Sequence, residues 1–83
     1  MDYIIRTPKQ LAQALKARRV VTKATQQDVG KRVGLLPKTI SALESTPERA
    51  SVESLLKLLS ALGVELVLRE KTAAQKSSDK SEW

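Results

Sequence analysis

The chain has no cysteine and no histidine. Without cysteine, neither a disulfide framework nor a thiolate metal site can supplement its core. Without histidine, a nucleophilic triad, an imidazole base and a His-ligated zinc are all unavailable. Carboxylates or lysines could still build an enzyme, but no spacing gathers them into a site. Catalysis is therefore the least favoured class, and no metal, cofactor or small-molecule substrate is implied. Long apolar runs are missing too. Residues 1–6 contain no stretch of secretory length, and the longest apolar stretches, 55–62 and 64–68, are too short to span a bilayer. The expectation is a soluble, intracellular protein with no membrane partner. Its 83 residues allow one domain with a thin core.

Acids are scarce in one half. From Arg6 to Lys38 there are nine basic residues against a single acid, Asp28, which leaves that segment at +8 of a net +6 for the chain. From Thr39 onward six basic residues face seven acids. A one-sided basic field suits a polyphosphate partner, through steering and counterion release. Charge alone fits a solvated surface equally well.

Turns and caps divide the chain into short helices. Thr7-Pro8 reads as an N-cap followed by proline at the first helical position, and Leu11, Ala12, Ala14 and Leu15 form an apolar stripe over 8–20. Thr25 caps a second helix, with Asp28 where a capping-box acid belongs. Gly34 stops it as a left-handed residue. A third helix starts at Pro37 and runs to about Glu44, burying Ile40 and Leu43. Residues 45–49 are a loop by composition. Ser51 caps a fourth helix that ends at Gly63, with a leucine face wider than one small core needs. Residues 64–69 then alternate as a strand. A lone strand leaves its backbone unpaired. Ile4-Ile5 is one conceivable mate, and the same strand of a two-fold related copy is the better one. Val64, Leu66, Val67 and Leu68 are accordingly assigned to a dimer interface. The first 70 residues read as one domain for DNA binding and dimerisation. Residues 71–83 carry no periodic apolar pattern, read as a disordered tail and end in the chain's only Trp.

Residues 26–44 meet a demanding pattern. Two crossed helices at a tight turn need a left-handed residue between them (Gly34), a small residue where they touch (Gly30), and apolar inner faces (Val29, Val33, Ile40 and Leu43). Several constraints at fixed offsets make a specific signal for a DNA-reading helix-turn-helix, with a generic helical hairpin as the bland alternative. The third helix then enters the major groove, offering Pro37, Lys38, Thr39, Ser41 and Ala42 to base edges. Lys38 suits guanine O6 and N7, while Pro37 and Ala42 suit a thymine methyl. Gln26 and Gln27 at the start of the second helix, with Lys23, Lys31, Arg32, Arg18 and Arg19, are the candidates for phosphate contacts. About half of the basic ones should prove to be ordinary solvated surface.

These residues resemble the Cro/repressor-type helix-turn-helix family, and within it the HipB-type antitoxins. The similarity rests on Thr7-Pro8, Gln10-Leu11-Ala12, Thr25-Gln26, Gly34, Thr39-Ile40-Ser41, Glu44, Pro47, the strand after the fourth helix and the closing Glu82-Trp83. It implies an all-α domain of four to five helices with one C-terminal β-strand pairing across a homodimer. It further implies binding to palindromic operator DNA upstream of its own operon, a HipA-type serine/threonine kinase toxin as partner with Trp83 seated on it, and a bacterial cytoplasmic, nucleoid-associated location. Two positions depart from the family. Leu36 and Pro37 stand where relatives can place polar base-reading residues, so the operator should differ. Gly30 stands where Ala is usual, at about 1 kcal/mol of helix propensity.

Two other readings compete. A stand-alone, phage-type repressor needs no partner beyond DNA and itself, so the tail discriminates. An adaptor using the leucine face of the fourth helix would show no operator preference.

Overall fold

A computed structural model describes residues 2–71. Helix α1 (Pro8–Val21) begins where the hydroxyl of Thr7 accepts the backbone N–H of Gln10 at 3.1 Å, with proline in the first turn. The Gln10 side-chain oxygen in turn accepts the N–H of Arg6 at 2.6 Å, so the entry is tied from both sides. Two further N–H groups that a helix start leaves orphaned are satisfied in α2 (Gln26–Val33). There Thr25 and Asp28 form a reciprocal capping box. Gly34 follows at φ 73°, in the left-handed region, and closes α2. Helix α3 (Pro37–Leu43) has no side-chain cap and relies on Pro37 for its start. A 3₁₀ turn (Pro47–Arg49) occupies the segment expected to be loop, and α4 (Val52–Ala61) is capped by Ser51.

The core is small and shared. Val29 of α2, Ile40 and Leu43 of α3, and Leu58 and Leu62 at α4 are fully buried, with Leu15, Ala24 and Leu59 around them. Each such side chain contributes about 1.5–3 kcal/mol on burial. Helix α2 packs on both α3 and α4, while the 3₁₀ turn bridges α1 and α3. No helix among the described residues is long and apolar enough to cross a membrane.

The fold is all-helical among the described residues, and here it departs from the expectation. Residues 64–70 form no strand. Val64 donates to Leu59 O at 3.0 Å, and beyond it no residue up to Glu70 makes a backbone hydrogen bond. A ladder needs a second strand, and Ile4-Ile5 does not supply it. Leu66, Val67 and Leu68 stay exposed. The reading of a disordered tail and the role given to Trp83 fall on residues 72–83, outside the described residues.

Candidate nucleic-acid interface

The turn between α2 and α3 decides what α3 can present. Gly34 supplies the left-handed step, and the N–H of Leu35 then closes back on Gly30 O at 2.8 Å. That closure brings the chain hard against α2. A Cβ on Gly30 would sit 2.3 Å from the Leu35 carbonyl oxygen, a backbone atom that cannot swing away. Gly30 is thus required by contact in this structure, which outweighs the helix propensity it forgoes. With the turn set, Ile40 and Leu43 point inward. Pro37, Lys38 and Ser41 are exposed, and Thr39 and Ala42 are half-buried.

The orientation of α3 is held by an ion pair that the sequence did not reveal. Arg19, at the end of α1, meets Glu44, the C-cap of α3, through two bonds: Nε to Oε2 at 2.6 Å and Nη2 to Oε1 at 3.0 Å. The side chains are only 15% and 4% exposed. Arg19 Nη1 also donates to Ala24 O at 3.0 Å, and Gln26 Nε2 donates to Glu44 Oε1 at 3.3 Å. The end of α1, the start of α2 and the end of α3 therefore converge on one carboxylate. The hydrogen bond to Glu44 holds the Arg19 guanidinium above its ordinary pKa, against the opposing effect of burial. No buried side-chain polar atom among the described residues lacks a partner. One unused signal could have found Glu44: an acid at a helix C-terminus opposes the helix dipole and calls for a specific cation.

The other predicted phosphate contacts divide sharply. Arg18 Nε donates to Leu62 O at 3.0 Å, and Arg32 Nη1 to Ala61 O at 3.4 Å. Both arginines thus serve the last carbonyls of α4, as cations at a helix C-terminus do. Arg18 and Arg19 are engaged inside the fold, whereas Arg32 makes its long contact at the surface and stays exposed. Lys23, Gln27 and Lys31 are exposed, and Gln26 is half-buried against Glu44. Lys23 itself has φ 59°, a left-handed non-glycine residue that ends α1. The capping box consumes the N–H groups of Thr25 and Asp28, leaving those of Gln26 and Gln27 without an intrahelical acceptor. No group of three or more metal-ligating side chains occurs among the described residues.

A capped second helix, a left-handed glycine and a short third helix with an outward polar face define a helix-turn-helix protein. Comparison with known proteins agrees. A helix-turn-helix family profile matches residues 15–68. The chain is 32% identical over 82 residues to antitoxin HipB of Escherichia coli, covering 95% of this chain and 93% of that protein. Among solved structures, a HipB variant in an O2 20mer complex superposes with a TM-score of 0.81 at 29% identity, covering 87% of this chain and all of that one. HipB in a HipA–HipB–O2–O3 complex gives a TM-score of 0.79 at 30% identity, with 83% and 97% covered. The chain belongs to the helix-turn-helix family, in its HipB antitoxin branch, which comprises DNA-binding antitoxins of toxin–antitoxin systems and not enzymes.

Proposed function

We propose that this antitoxin is also the autorepressor of its toxin–antitoxin operon, binding palindromic operator DNA as a homodimer in the bacterial cytoplasm, at the nucleoid. The observation that carries the proposal is the outward face of α3. Lys38 and Ser41 stand exposed beside Thr39, on a helix locked from behind by the Arg19–Glu44 pair. A rigid helix with polar side chains at its start is what major-groove readout requires. Pro37, Lys38, Thr39, Ser41 and Ala42 face the bases. Lys23, Gln27 and Lys31 neutralise phosphates, with Gln26 and the two orphan N–H groups at the start of α2. Arg32 is exposed, with only a long contact to Ala61 O, and keeps that role, whereas Arg18 and Arg19 are set aside because each is half-buried and bonded within the fold.

A HipA-type serine/threonine kinase is the proposed protein partner, with Trp83 as its anchor. The supporting observation is the relative bound in a HipA–HipB–O2–O3 complex. On this reading residues 1–70 bind DNA and dimerise, while 71–83 engage the kinase. Fluorescence anisotropy on duplexes from the operon's own upstream region tests both parts. Specific binding needs two half-sites about one helical turn apart. Removing residues 71–83 leaves operator affinity unchanged and weakens kinase binding. Unchanged kinase affinity after that truncation would rule out the anchor, whereas a full chain that binds operator but no kinase would favour a stand-alone repressor.

A further inference from the structure

We infer that residues 64–70 encode their own pairing register: two copies align antiparallel about Val67, and each Glu65 lies opposite the partner's Arg69. The inference rests on the homodimer proposed above and specifies what holds it in place.

The segment is built to be completed. Its N–H and C=O groups from Glu65 to Glu70 make no backbone bond. Leu66, Val67 and Leu68 are 59%, 65% and 94% exposed. They line an open groove together with Leu11, Leu55, Leu59, Arg18 and residues 2–6. An apolar edge with an open ladder is a template for another strand.

Symmetry then limits the occupant's alignment. Centred on Val67, the two-fold sets Leu66 against the partner's Leu68 and Glu65 against the partner's Arg69, each twice. Because side chains alternate across a strand, Glu65, Val67 and Arg69 share one face, and the four leucines of the pair share the other with Val64 and Glu70, which meet each other only at the ends of the ladder. Val64 packs on the core, so the leucine face continues it. The neighbouring registers are worse. Centring on Leu66 sets Glu65 against Val67 and Arg69 against Gly63. Centring on Leu68 does set Glu65 against Lys71, but it puts Arg69 against Val67 and Leu66 against Glu70, so that Leu66 loses its apolar partner. Half-step shifts bring Glu65 against Glu70, or Glu65 against Leu68 and Arg69 against Val64. Opposite charges across a ladder stabilise, like charges destabilise, and a one-residue slip inverts the faces. Among the described residues Arg69 has a long, exposed contact with Asp2, at 3.8 Å, which exchanges readily for a cross-strand carboxylate.

Full-length Glu65→Arg and Arg69→Glu chains test this, singly and mixed, by sedimentation equilibrium and native mass spectrometry. Each alone sets like charges opposite one another twice and weakens dimerisation by about ten- to thirty-fold. Mixed in equal amounts, they form the heterodimer in preference and recover the unaltered affinity, since both cross-strand pairs are again opposite. That recovery also shows that neither substitution harms the fold. Two single variants that dimerise like the parent chain, or a mixture without heterodimer preference, overturn the register. The double variant Leu66→Pro with Val67→Pro separates the two failures, because adjacent N–H groups point to opposite sides of a strand and one of the two must lie in the ladder. If it abolishes the dimer while the charge variants do not, strand pairing stands and the register falls. If it leaves a dimer intact, the strand-mediated homodimer itself falls and the register with it.

Discussion

The polar hub around Glu44 and the extended segment after Gly63 solve opposite problems. At the hub, three helix ends that would leave charges and carbonyls unsatisfied are closed within one chain, and Glu44 is 4% exposed with every contact made. In residues 65–70 the three apolar side chains, Leu66, Val67 and Leu68, stay in solvent beside an unpaired backbone. Helices satisfy their own main chain, so a helical body of this size can complete itself. A single strand cannot. Changes at the hub should therefore lower stability at any protein concentration, whereas changes in the extension should act only through association.

The largest effect is expected for Glu44→Ala, which strands the mostly buried Arg19 cation. Urea denaturation should show a loss of about 3 kcal/mol, at low and high protein concentration alike. A double replacement, Arg19→Met with Glu44→Leu, should recover most of it, because breaking a pair costs more than exchanging it for packed apolar atoms. A loss below about 0.5 kcal/mol for Glu44→Ala would put the pair among ordinary surface contacts.

Gly30→Ala comes next, at about 1–3 kcal/mol of destabilisation from overpacking against the Leu35 carbonyl. Helix propensity alone predicts a gain of about 1 kcal/mol, so the sign of the change separates contact from propensity. Lys38→Ala should leave thermal stability unchanged while costing about 1–3 kcal/mol of operator affinity and relaxing preference at one base position. Intact preference would remove Lys38 from the groove.

Leu68→Ser should be silent in dilute monomer and visible only as a lost concentration dependence of Tm. A shift equal at all concentrations would place Leu68 in the monomer's own core. The smallest effect belongs to Asp28. Its carboxylate is held below the ordinary 3.8, chiefly by the backbone N–H of Thr25 and then by the Thr25 hydroxyl. A depressed acid stabilises the fold above its ordinary value, and that contribution is lost as pH falls through the lowered one. Asp28→Asn should flatten this acid limb, and an unchanged limb in an acid titration of stability would exclude the capping box as its source.

Much of this was legible along the chain because it is local. Thr7, Thr25 and Ser51 act within three residues, Gly34 answers one backbone angle, and Val29, Ile40 and Leu43 follow a helical period. The functions of the arginines were not legible. Arg18, Arg19 and Arg32 look the same in sequence as the exposed lysines, and their acceptors lie 44, 25 and 29 residues away. A basic segment announces a field without saying which of its members produce it.

Residue order alone determined where helices start and stop, and which of their faces is apolar. Those choices are settled by angles, caps and spacing within one or two turns. Tertiary structure alone decided that Glu44 gathers three helix ends, that Gly30 has no room for a Cβ, and that residues 65–70 find no mate among the described residues. Each of those depends on which distant atoms arrive at the same point, and no local spacing encodes that.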